Sequence, residues 1–330
     1  MPTVETVKGP VDTAALGATL MHEHVFVLST EHVQNYGAGE WWDEDERVAD
    51  AVVKLEALPS IGIETIVDPT VWGLGRYIPR IQRIAEQTDV NIIVATGIYT
   101  YESVPHQYEH RGPGLLFDAE VDPMIVDFTR DLTRGIGDTG VKAAFLKCAI
   151  DAPGLTPGVE RVMRACARAH RETGAPITCH TNSPSFSGRE AVRVFVEEGV
   201  DLTKVVIGHA GDSNDLDYLR ELADQGVTLG MDRFGLDAYN PTADRVDTIV
   251  RLADAGYADR MVLAHDASCY IDYFPGVEAQ AAKEQIAPNW NFTHISKDVL
   301  PMLRDRGVTE EQVRQMLVDT PRRYFEQVAG

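Results

Sequence analysis

The chain has 330 residues, 44% of them hydrophobic and 25% charged, a composition that excludes collagen-like, fibrous and disordered classes and allows a large buried core. Its 51 acidic side chains against 30 basic ones leave a formal charge of −21, which repels phosphate backbones and anionic lipid surfaces, so no nucleic-acid or membrane partner is expected. The four cysteines, at 148, 166, 179 and 269, form no Cys-x-x-Cys pair, and there is no secretory leader pattern or run of about 18 apolar residues, so the expectation is a cytoplasmic protein without disulfides.

In chain order, short apolar β-rich runs fall at residues 19–26, 65–70, 91–97, 143–149, 176–181, 205–210, 227–232 and 261–266. Segments with helical spacing separate them, among them Val48, Val52, Leu55, then Ile78, Ile81, Ile84, then Val159, Val162, Cys166, Ala169. Eight strands alternating with helices predict a single (β/α)8 TIM barrel over residues 1–330, with a doubly wound open sheet as the alternative. Two connections are longer than linkers need to be, from 98 to about 118 and from 267 to about 292, and both are expected to rise from the catalytic face.

Barrel enzymes carry reactive groups at the C-terminal ends of their strands. Those ends here hold His22 and His24, Lys147, His180, His209 and Asp266. Alternation along a strand puts His22 and His24 on one face and Glu23 on the other, and turns Cys148 away from Lys147 into the strand–helix layer. His32, His106, His110, His170 and His294 fall outside the strand ends and are assigned surface or loop roles.

Four imidazoles and a carboxylate suit zinc or a similar divalent ion, and they exceed what one tetrahedral ion uses. Two ions about 3.5–4 Å apart need a bridging anion, yet the group among them is a lysine. A buried amine of lowered pKa can take up carbon dioxide and become a bridging carbamate. A plain salt bridge at Lys147, or a Schiff-base role, are the alternatives.

The pattern Thr19-Leu20-Met21-His22-Glu23-His24-Val25-Phe26, Leu146-Lys147-Cys148, His180-Thr181, Ile207-Gly208-His209 and His265-Asp266 resembles the phosphotriesterase branch of the amidohydrolase superfamily, from Gly9-Pro10 to Pro321-Arg322-Arg323-Tyr324-Phe325. The resemblance implies two divalent ions per chain: zinc first, with cobalt, iron or manganese as substitutes. His22, His24 and Asp266 would hold the more buried ion and His180 and His209 the more exposed one. Carboxylated Lys147 would bridge them, and Asp266 would carry the proton of a shared hydroxide.

Within that branch the sequence is similar to the phosphotriesterase-like lactonases. Tyr99 in Gly97-Ile98-Tyr99-Thr100-Tyr101 matches the tyrosine that lies against the lactone ring, and Arg233 stands in the matching motif Met231-Asp232-Arg233-Phe234-Gly235. Leu74 matches a pocket position, and Tyr273 takes the place of a lid tryptophan. Tyr270, Ile271, Phe274, Trp290 and Phe292 make the last long connection unusually apolar, as a lid over an acyl-chain slot would be. After the fifth run, Thr181-Asn182-Ser183-Pro184-Ser185-Phe186 departs from the second histidine and alanine of many relatives. The implied activity is ring opening of N-acyl-homoserine lactones, which would suit quorum-signal degradation, with promiscuous phosphotriester hydrolysis and a homodimeric assembly. An organophosphate triesterase, a Schiff-base lyase and a non-catalytic metal-binding relative are the competing readings.

Overall fold

The computed structural model describes residues 2–326. An antiparallel hairpin, β1 (Thr3–Thr6) and β2 (Gly9–Asp12), precedes the barrel. The barrel strands are β3 (Thr19–Leu20), continued after a break by β4 (His24–Val27), then β5 (Thr65–Asp68), β6 (Asn91–Gly97), β7 (Phe145–Ile150), β8 (Ile177–Thr181), β9 (Val205–Gly208), β10 (Thr228–Met231) and β11 (Met261–Leu263). They form one parallel sheet in the order β3-β5-β6-β7-β8-β9-β10-β11. The ends meet through Met21 N–H to the Leu263 carbonyl at 3.1 Å and Asp266 N–H to the His22 carbonyl at 3.0 Å, which closes the cylinder. The eight-stranded barrel expected from the sequence is the observed fold.

The helices form where apolar spacing and end signals agree. Pro157–Thr173 starts at Thr156, whose side chain accepts the Val159 N–H, buries Val159, Val162, Cys166 and Ala169, and stops at Gly174 in the left-handed region. Glu44–Glu56 and Ile78–Ala85 likewise match the predicted periodic segments. Inside the cylinder, Met21, Val67, Ile93, Ala95, Phe145, Val206 and Val262 pack with Tyr324 and Phe325 into a separate core. That packing fills part of the interior, so the barrel is not an open pore.

Four expectations are corrected. The run 19–26 is two short strands with 21–23 between them, because this stretch exchanges hydrogen bonds with both neighbouring walls, Glu23 N–H reaching the Val67 carbonyl and Met21 N–H the Leu263 carbonyl. The last run keeps strand pairing only to Leu263, because Asp266 turns into the left-handed region. The final long connection contains a further strand, β12 (Ser268–Ile271), parallel to β4, and a helix, Gly276–Ile286. His170 and His294 are buried, not surface residues: His170 pairs with the Ala175 carbonyl and His294 with Asp298. Among the described residues no helix is long and apolar enough to cross a membrane.

Candidate metal centre

The reactive groups sit where strands give way to turns. His209, Arg233 and Asp266 have φ of 63°, 62° and 53°, a region that non-glycine residues hold only where the surroundings fix them. His22 Nε2 lies 3.4 Å from Lys147 Nζ and 3.5 Å from Asp266 Oδ1, and His24 Nε2 is 3.2 Å from the same oxygen. Beside them His180 Nδ1 and His209 Nε2 face each other at 2.8 Å. The His22 and His209 rings are 4.9 Å apart, so the two groups are contiguous. All six residues named from the strand ends therefore converge.

What anchors each imidazole decides which nitrogen is free. His209 Nδ1 donates to Asp232 at 2.8 Å, His180 Nε2 donates to Asp151 at 2.5 Å, His24 Nδ1 meets Thr70 Oγ1 at 2.7 Å, and His22 Nδ1 stands 3.3 Å from Asp232. With tautomers assigned from the hydrogen-bonded partners, the other nitrogen of His209, His180 and His24 turns a lone pair inward, whereas His22 Nδ1 makes no hydrogen bond among the described residues. Burial lowers His180 to about 4 and His209 well below its usual value, which keeps both rings neutral near pH 7. Burial alone would raise the Asp232 carboxyl, but the adjoining His209 and His22 outweigh it and hold it ionised.

Two lone pairs facing each other at 2.8 Å repel unless a cation lies with them. Two ligands about 2.1 Å from one ion at tetrahedral angles stand about 3.4 Å apart, the spacing found among His22, His24, Lys147 and Asp266. The donor set fits divalent ions of the zinc type. Lys147 is buried, and burial lowers its ammonium pKa. Among the described residues no carboxylate lies within the 4.0 Å of an ion pair from its Nζ, so the salt-bridge alternative has no partner.

A cavity of about 330 Å³ opens over this cluster, lined by Leu74, Tyr99, Arg233 and Tyr273 as well as the six converging side chains. Val27, Leu74 and Ile271 make an apolar patch against Tyr99, Phe274 and Trp290. Arg233 donates Nε to Asp266 at 3.1 Å and Nη1 to Asp212 at 2.8 Å. The Tyr99 hydroxyl contacts that of Tyr101 and lies 3.5 Å from His180 Nδ1. Burial raises both phenols, Tyr101 to about 12, so both remain donors. A larger groove of about 900 Å³ beside helix Pro157–Thr173 gathers no histidine and no lysine, and it lies apart from this chemistry.

Sequence reasoning did not single out Asp232, Asp151 and Thr70 as holders of the imidazoles. Only one signal pointed to them: Asp232 and Thr70 end predicted runs, and Asp151 follows one. Glu23 was placed facing away, and it does: it accepts the N–H groups of His265 and Ala267 and the His265 Nδ1–H, at 2.8, 3.0 and 2.7 Å. Cys148 also lies away from the site, in the main strand–helix core.

The family model described as Phosphotriesterase family matches residues 2–325. A solved structure described as the phosphotriesterase from Mycobacterium tuberculosis is similar with a TM-score of 0.95 and 54% identity, covering 99% of each chain. An aryldialkylphosphatase of Saccharolobus solfataricus is 37% identical over 96% of this chain and 98% of its own. A further structure, described as organophosphate hydrolysis activity engineered from a weak promiscuous lactonase template, aligns with a TM-score of 0.87 and 33% identity over 98% of this chain and 99% of that one.

Proposed function

The chain belongs to the phosphotriesterase family and is a metal-dependent hydrolase; from that premise we propose that it opens the ring of N-acyl-homoserine lactones, with phosphotriester hydrolysis as a secondary activity. The observation that carries this reading is the apolar patch Val27–Leu74–Ile271, with Tyr99, Phe274 and Trp290, directly beside the ligating atoms. A lactone head needs the polar end of such a cavity and an acyl tail needs the apolar end.

His22, His24 and Asp266 would hold one ion and His180 and His209 a second, with Lys147 between them as the carbamate formed from its neutral amine and carbon dioxide. Zinc suits these nitrogen and oxygen donors, and cobalt, iron or manganese would substitute. Bound divalent ions lower the pKa of water toward neutrality and polarise a carbonyl. The chain's own groups do the rest. Tyr99 supplies a phenol above His180 on which the ring can rest. Asp266 Oδ2 takes the proton of the attacking water and returns it to the ring oxygen as the C–O bond breaks, one group acting as base and then as acid. Arg233, paired with both Asp266 and Asp212, fixes the carboxylate for that transfer.

The exposed Leu115, Leu116, Phe117 and Val121 on the connection after β6 support a homodimer. The four free, buried cysteines support a reducing cytoplasm. The test is kcat/KM for a long-chain acyl-homoserine lactone against that for paraoxon, on one zinc- or cobalt-loaded preparation. A ratio well above one supports the lactonase, and a ratio below one supports the second reading, an organophosphate triesterase, which the names of two relatives favour. Borohydride trapping of substrate on Lys147 would instead establish the Schiff-base lyase.

A further inference from the structure

Asp266 holds a left-handed backbone conformation, and the structure shows what holds it there. Its own N–H reaches the His22 carbonyl, and the N–H groups on either side, of His265 and Ala267, reach Glu23. The two carbonyls on the other side of the chain, of His265 and Asp266, share a single donor, the Trp290 indole Nε1–H, at 3.1 Å each. The N–H groups are thus held by barrel residues and the carbonyls by one residue of the long final connection.

Trp290 is tied just as closely to the lid. Its backbone N–H donates to the carbonyl of Ala287, the residue that follows helix Gly276–Ile286, at 3.1 Å. Lys283 of that helix lies over its ring, 4.6 Å from the centroid. The lid helix itself buries no side chain, so it belongs to the weakly anchored part of the fold. A side chain at Gly235 would lie 2.2 Å from the Asn289 carbonyl, so the loop that carries Arg233 packs against the residue before Trp290.

We infer that Trp290 is a positioning residue that couples the seating of the lid to the orientation of Asp266. With the lid seated, the indole N–H fixes both carbonyls and the Asp266 carboxylate is held toward the ligating nitrogens. With the lid lifted, those carbonyls lose their donor and the strained turn relaxes. A substrate tail that seats the lid therefore prepares the proton carrier. The inference rests on the reading of Asp266 as that carrier.

Trp290→Phe keeps an aromatic ring in the cavity and removes the N–H. It should lower kcat by about 10- to 100-fold for lactones of every acyl length and for paraoxon, leave KM within about two-fold, and leave metal content unchanged. A residue that only lined the tail slot would shift KM with acyl length and leave kcat alone, which would overturn the coupling. A second readout does not depend on turnover. The chain has four tryptophans, and the indole 15N–1H signal missing from Trp290→Phe identifies the Trp290 N–H. It should exchange slowly with deuterium in the unaltered protein and faster in Lys283→Ala. Exchange as fast as that of the exposed Trp72 overturns the coupling. Asp266→Asn, assayed alongside, separates the two readings: undiminished turnover there removes the proton carrier, whereas turnover lost there but kept in Trp290→Phe removes only the coupling.

Discussion

Asp232 accepts hydrogen bonds from both the backbone N–H and the Nδ1–H of His209, at 3.0 and 2.8 Å, and so decides which nitrogen of that ring faces the centre. Asp232→Asn weakens that hold on the ring and removes the charge near His22. Metal affinity is expected to fall about 10- to 100-fold, with a native melting profile in the presence of excess metal. Metal content after dialysis and recovery of activity on metal titration measure this, and an unchanged affinity would show that Asp232 does not orient the ligands.

Asp266→Asn keeps the shape but cannot take a proton. Turnover followed by pH-stat is expected to drop by about 10²- to 10⁴-fold. The drop should persist when metal analysis shows the variant fully loaded, since loss of the proton carrier is separate from loss of a ligand.

Removing metal by prolonged chelation should abolish turnover and lower the melting temperature, because the inward lone pairs of His180 and His209 lose the cation that reconciles them. Re-addition at about 1,000 times Kd should restore about 4 kcal/mol of stability. A melting curve indifferent to chelator would contradict the metal centre.

Gly97 has φ of 140°, and a side chain there would lie 1.9 Å from the Lys147 carbonyl across the β6–β7 pairing. Gly97→Ala should cost about 3 kcal/mol or more through backbone strain and overpacking, seen in denaturant unfolding. It should also displace Lys147.

His265 is held neutral by geometry: its Nδ1–H donates to Glu23 while Nε2 accepts the Ile295 N–H at 2.9 Å. Burial lowers it from 6.5 to about 3. The unfolded chain then binds the proton first, so the stability from this residue is complete above about pH 6.5 and is lost progressively as pH falls toward 3. Melting temperature against pH should show that decline, and His265→Gln should flatten it in this window.

The barrel and the convergence of six side chains were legible because each of the six lies at or near the end of an apolar run, where alternation and position agree. What stayed hidden depends on contacts between distant elements. Asp151 and Thr70 read as ordinary polar residues until the barrel closes and brings them against His180 and His24. β12 was missed because Ser268–Ile271 lies inside a segment whose aromatic content reads as a lid, and only its pairing with β4 makes it a strand. Trp290 read as lid surface, since a bond to two backbone carbonyls leaves no trace in sequence spacing.

The seam where the first and last barrel strands meet also orders events in the cell. Glu23 and His265, which bond across it, are 242 positions apart. At about 5–20 residues per second of synthesis, His22 and His24 wait roughly 10–50 s on the ribosome before their carboxylate partner is made. Only the His-x-His pair has been made for the first part of that interval; Lys147, then His180 and His209, follow before Asp266. The full cluster therefore comes together only after the last strand has been delivered and the cylinder shut.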